Sequence, residues 1–195
     1  MKNLKNNKGF TLVELLAVIV VLAIVMGLAV VGITSVLDNT RKSAFAADAK
    51  TFISAARSLV NSDQANAMLG TDTLYSPKCV GSGETVYIAL ATIPLDGGKS
   101  WENQKSPYGV KYTAGAAGGK LSSAPDSSYI AIKSTVNDGN CTLSYGIYLT
   151  DGVMMIKGGS GNASTKTAMK DTANANTTAM VEENVEAANV VKKTS

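Results

Sequence analysis

Residues 8–37 read KGFTLVELLAVIVVLAIVMGLAVVGITSVL, and a single carboxylate, Glu14, interrupts the apolar run from Phe10 to Leu37. The run exceeds the ~20 apolar residues that a bilayer-spanning helix needs. It also exceeds the ~7–15-residue apolar core of a secretory signal peptide, so it reads as a retained anchor. Lys2, Lys5 and Lys8 precede it, and the bias of positive charge toward the cytoplasmic face places the N-terminus inside and the chain beyond Leu37 outside. Glu14 then needs an explanation. It either reaches the cytoplasmic interface, about 6 Å along a helix from Phe10, or awaits a cation, because an intramembrane carboxylate marks a site whose partner must be named.

Lys8-Gly9-Phe10-Thr11-Leu12-Val13-Glu14-Leu15-Leu16, behind a short lysine-rich leader, resembles the prepilin signature of type IV pilins and of the related pseudopilins of type II secretion and competence systems. The resemblance implies that a prepilin peptidase cuts between Gly9 and Phe10 on the cytoplasmic side and methylates the new Phe10 amine. It implies a partner for Glu14, the Phe10 ammonium of a neighbouring subunit. The other implied partners are the membrane, an assembly platform with its ATPase, and further copies of the chain in a helical homopolymer. Only a processed chain has that ammonium, so only a processed chain neutralises a neighbour's Glu14 as it leaves the membrane for an apolar core. Many pilins carry a proline within this run; here Gly27 and Gly32 stand instead, each weaker than alanine in a helix by about 1 kcal/mol. Three functions stay open: a pilus subunit, a pseudopilin or minor pilin of a secretion or DNA-uptake system, and a membrane-anchored binding domain that never polymerises.

Composition narrows the chemistry. Of 18 basic residues three lie in the leader, and 18 − 3 = 15 balance the 15 acidic ones, so the rest of the chain is neutral. That argues against a nucleic-acid footprint, which needs clustered Lys and Arg. Histidine is absent and the only cysteines are Cys79 and Cys141, which removes the usual general base, most zinc sites and any Cys/His nucleophile. No catalytic set, cofactor or metal centre is indicated, and the chain reads as structural. The glycine clusters at 81–83, 115–119 and 158–161 match neither a P-loop nor a dinucleotide fingerprint. Asp126, Asp138 and Asn140 lack EF-hand spacing and read as turn residues. The glycosylation triplets at Asn140, Asn162 and Asn176 are short enough to arise by chance.

The expected fold is α+β and pilin-like: a long N-terminal helix, apolar in its first half and amphipathic in its second, packed on a small antiparallel β-sheet head. The expected divisions are a leader (1–9), a transmembrane or filament-core helix (10–37), an amphipathic stalk (38–62), a β-rich head (63–159) and a low-complexity tail (160–195). No Pro or Gly interrupts Thr34 to Ala67, and Phe45, Ala49, Phe52, Ala56, Leu59 and Val60 fall near one helical face. Strands are expected at 86–91, 129–133, 143–149 and 153–156, rich in β-branched and aromatic residues. Turns at 137–140 and at Asp151-Gly152 make the last three an antiparallel meander. Trp101 and Tyr108 anchor an irregular loop between Leu95 and Pro125. Cys79 and Cys141 both lie outside the membrane with no other thiol to pair with, so a disulfide is expected. The tail has few large apolar residues, and its removal is expected to leave the head folded. Its end, 180–188, is either a short helix with Val181, Val185 and Ala188 on one side or without regular structure.

Overall fold

The uninterrupted stretch after Phe10 forms one α-helix, α1, Leu12–Met68. A computed structural model describes residues 11–69, 73–80, 83–95, 104–156, 158 and 179–193, except the side chains at 30 and 31. Two compact units divide within α1, after Thr40. In the first, the helix is apolar on every side, and its large apolar side chains are exposed, from 79% at Leu12 to 48% at Leu37. Its mean hydropathy reaches 3.1 over an 18-residue window. A helix apolar all round is made for burial in lipid or in other helices.

In the second unit polar residues confine the apolar positions of α1 to one stripe. Phe45, Ala49, Phe52, Ile53, Ala56 and Val60 are buried at the i, i+4, i+7, i+8, i+11 and i+15 spacing of one helical face. Leu59, expected on this face, is half-buried, whereas Ile53 is fully buried in the core. The helix outlasts the stripe because Asp63 ties its last turns to the following loop, accepting the backbone N–H groups of Leu74, Tyr75 and Ser76 at 2.8–2.9 Å.

The stripe packs on an antiparallel sheet. β1 (Thr85–Ala89) pairs with β2 (Tyr129–Asn137), and β2 with β3 (Asn140–Thr150), in registers that align Val86 with Ile132 and Ile130 with Ile147. Residues 90 and 91, expected to end the first strand, belong instead to a short 3-10 helix, Leu90–Thr92. The β2–β3 hairpin closes on Asp138 (φ 50°) and Gly139 (φ 81°), the two positive φ values of the tight turn that matches strand twist. β4 (Met154–Ile156) folds back on β3 after Asp151-Gly152. Val86, Ile88, Ile130, Ile132, Tyr145, Ile147 and Leu149 face α1 and form the main core with its stripe. On the other face, Tyr129 stacks between Tyr87 and Tyr148 at centroid distances of 5.4 and 5.6 Å.

The C-terminal residues correct the expectation that the strand set ends near Ile156. Residues 179–193 return to the sheet: β5 (Met180–Val181) pairs with β3, and β6 (Val191–Lys192) pairs with β4. Met180, Val185 and Val190 are 0–2% exposed within the main core. Their spacing of five fits neither a helix nor a strand, which is why neither the helix nor an unstructured end is found. It suits short strands joined by the 3-10 turns Glu182–Asn184 and Ala187–Asn189. Trp101, Asn162 and Asn176 lie outside the described residues.

Cys79, before β1, is bonded to Cys141 of β3 with a Cα–Cα distance of 5.7 Å. Next to the bond the buried Ser134 hydroxyl donates to Lys78 O at 2.8 Å and accepts the Glu84 N–H at 2.7 Å. Gly83 passes so close (φ 90°) that a Cβ there would lie 2.1 Å from Ser134 O.

Met180→Ala should destabilise the head by about 2–5 kcal/mol, the usual cost of emptying a core site. Thermal unfolding of the detergent-solubilised chain reads it, and an unchanged midpoint would mean that the C-terminal strap is not part of the core. Native protein denatured without reductant should offer no alkylatable thiol. Replacing both cysteines by serine should cost about 4 kcal/mol, the chain-entropy value for a loop closed across 62 residues.

Candidate functional site

The first four N–H groups of a helix have no partner inside it. At the start of α1, Thr11 Oγ1 accepts the Glu14 N–H at 3.3 Å. In return Glu14 Oε2 accepts the Thr11 N–H at 2.9 Å and its hydroxyl at 3.1 Å. This is a reciprocal capping box. Its Thr-x-x-Glu spacing is legible in the sequence, but asking only for a charge partner of Glu14 passes over Thr11. Both of these bonds go to Oε2. Gly9 and Phe10, the residues expected at the cleavage, methylation and pairing site, lie outside the described residues. Phe10 is nonetheless covalently joined to Thr11, so a cation made at its nitrogen arises beside the group that holds Glu14.

The head's buried carboxylates are engaged in its own architecture. Asp48 accepts the Tyr112 hydroxyl at 2.6 Å. Burial pushes the Asp48 carboxyl above its ordinary value, against the pull of that bond, and burial with the Asp48 bond raises the Tyr112 hydroxyl far above its own. Burial also opposes the Asp63 charge, but its three backbone donors and the nearby Lys120 ammonium outweigh burial and hold it below the ordinary value. Lys120 itself donates to Ser76 O at 2.8 Å. Asp151 fixes the β3–β4 turn, accepting from Val153 N, Met154 N and the Ser106 hydroxyl at 2.8, 2.7 and 2.5 Å. Arg57 pairs with Glu182 at 2.5 Å and lies 4.9 Å over the Tyr145 ring, clamping the C-terminal strap to α1. Beside that clamp Ser43, Ala46, Ala47 and Lys50 of α1 and residues 185–187 line an open groove of about 290 Å³. Among the described residues no cluster of acidic, Cys or His side chains is arranged to hold a metal ion.

Residues 4–30 match the family model of the prokaryotic N-terminal methylation motif, the signature of type IV pilin and pseudopilin precursors. The match takes in Gly9, Phe10, Thr11 and Glu14 and ends before the head begins. No similar curated protein and no similar solved structure is found for the chain.

The buried Asp63 and the half-buried Asp48 should respond oppositely to pH. The lowered Asp63 value contributes stability that is present above the ordinary carboxylate value and lost as pH falls through the folded one. Asp63→Asn should therefore cost about 1–3 kcal/mol at neutral pH, and the gap should narrow below about pH 4. The raised Asp48 value contributes stability that is full in acid and lost as pH rises through the folded value. Asp48→Asn, which keeps an acceptor for Tyr112, should be neutral or stabilising near pH 7. Thermal midpoints across this range decide it, and an Asp48→Asn loss that grows with pH would contradict the assignment.

Proposed function

We propose that this chain is the structural subunit of an extracellular type IV pilus. It is stored in the cytoplasmic membrane with its head outside, cut between Gly9 and Phe10 by a prepilin peptidase and methylated at the Phe10 amine. An assembly platform and its ATPase then add it to a helical homopolymer. The observation that carries this reading is a coincidence in one stretch: the methylation motif at 4–30 overlies an apolar helix that its own chain leaves uncovered. Lipid covers that helix before assembly, and neighbouring copies cover it afterwards. In the filament, Glu14 meets the Phe10 ammonium of a neighbour, which removes two unpaired charges from an apolar interior at once.

A pseudopilin or minor pilin uses the same helix and differs in copy number, so the abundance of the chain in sheared surface material separates it from a major subunit. A non-polymerising anchor keeps Met1. The decisive experiment expresses Glu14→Ala as the sole copy. Mass spectrometry should find a methylated Phe10 N-terminus in wild type and variant alike, because the cut lies outside the charge pair. Sheared fractions should contain filaments for wild type and few or none for the variant, although an anchor without the carboxylate inserts at least as well. Abundant, normally staggered filaments from the processed variant would end the charge-pairing mechanism, and an N-terminus starting at Met1 would end the filament reading altogether.

A further inference from the structure

One hairpin of the head takes no part in this assembly scheme. Lys105 and Lys111 face each other across an antiparallel bridge, closed by Ser106 N–H to Val110 O and Gly109 N–H to Ser106 O, both at 2.8 Å. Both lysines are exposed. The neighbouring Tyr112 turns the other way, with its ring 5.5 Å from those of Phe45 and Phe52. Between the lysines runs Ser106-Pro107-Tyr108-Gly109-Val110, in which Tyr108 is half-buried and Val110 is 37% exposed. Tyr108 packs edge-on against Phe45 at 6.3 Å, and the exposed Arg41 guanidinium stands 6.0 Å over its ring. The tip is thus an apolar pair flanked by cations, held beside the turn of α1 at residues 41–45.

Arg41 follows Leu37, the last residue of the apolar run, by four residues. A chain advances at most ~3.6 Å per residue, so Arg41 stays within about 14 Å of that run whatever course the chain takes. The headgroup layer outside the hydrocarbon is itself roughly 5–8 Å deep. Residues 104–112 contain no acid. Along this stretch of α1 and beside the hairpin the acids are Asp38, Asp48, Glu186, which lines the groove beside Lys50, and the buried Asp151; Asp48 is bonded to Tyr112 and Asp151 to Ser106. Against these four, of which Asp48 and Asp151 are engaged within the head, stand five cations: Arg41, Lys42, Lys50, Lys105 and Lys111.

We infer that the 105–111 hairpin, together with Arg41, docks on anionic phospholipid headgroups at the outer surface of the membrane that holds the anchor. The cations meet the phosphates, and Val110 meets the interface over Tyr108, whose hydroxyl is buried in the head. The anchor keeps the hairpin at high effective concentration, so a small contact suffices. This docking rests on the anchored state of the proposed function and is independent of polymerisation.

The test places the full chain in vesicles of phosphatidylcholine alone and of equal parts phosphatidylcholine and phosphatidylglycerol, and follows hydrogen exchange at 104–112 by mass spectrometry. Exchange should be about five-fold or more slower in the anionic vesicles, the factor that each basic residue near such a surface supplies. The difference should vanish in high salt and in the double variant Lys105→Glu/Lys111→Glu, whose exposed positions leave the thermal transition of the head unchanged. Equal exchange of the wild type in both lipids overturns the docking. Protection that tracks the number of chains per vesicle rather than lipid charge gives the hairpin to a neighbouring copy and overturns it as well. A chain that alkaline washing strips from the vesicles overturns the anchored state itself, and the docking with it.

Discussion

An apolar surface must be covered, and the first half of α1 has nothing in its own unit to cover it. Each Å² of apolar area left in water costs about 25 cal/mol, which makes the free chain in water an untenable state for residues 12–37. Lipid is one cover and the same helix in other copies is another. Between those two the hydrophobic term nearly cancels, since lipid tails are as apolar as leucine side chains. Transfer from one to the other is therefore decided by packing, by external work and by whatever polar groups the segment carries. Among residues 10–37 the only ionisable side chain is Glu14. A group that would be a blemish in a plain anchor becomes the feature by which the two covers differ.

Beyond Arg41 the same helix meets the opposite situation, because polar residues narrow its apolar surface to a stripe that one sheet can cover. The sheet then has a second face and an edge to protect. Tyr87, Tyr129 and Tyr148 fill the second face under Ala179, Val181 and Val191. The strap's short strands take hydrogen bonds that the edges of β3 and β4 would otherwise offer to another chain. For a protein held in a membrane, covering those edges of β3 and β4 leaves fewer strand positions at which the head could pair with another chain.

The main architecture was legible because it follows strong periods. The stripe from Phe45 to Val60 repeats at helical spacing, and the strands around Ile130 and Ile147 are dense in β-branched and aromatic residues. The Asp-Gly turns at 138–139 and 151–152 announced both hairpins. What escaped has no period to detect. Two-residue strands such as Met180–Val181 cannot show alternation; Val185 suggested one side of a short helix, and Val190 entered no pattern. The extension of α1 to Met68 depends on Asp63 meeting backbone donors eleven to thirteen residues away, a contact that no local pattern encodes. At the N-terminus Glu14 was legible as a site, while the role of Thr11 was hidden because one residue type serves both as an ordinary helix start and as a holder of the carboxylate.

If the proposed filament function holds, that double duty bears on how charge and geometry would share the work of assembly. In the membrane-stored subunit Glu14 is satisfied locally, since Thr11 supplies donors that the helix start must place somewhere in any case. A Phe10 ammonium formed by cleavage stays at the cytoplasmic interface, where water solvates it and no carboxylate is required. In a filament interior the water is gone, and each ammonium needs a carboxylate. Its own Glu14 and a neighbour's Glu14 give the same sum of charges, so neutrality by itself does not choose between them. The choice falls to the ridges and grooves of the packed apolar helices, which admit only a few offsets between neighbours. On the proposed filament reading, charge pairing would thus select processed subunits over unprocessed ones, whereas side-chain packing along residues 12–37 would set the axial stagger.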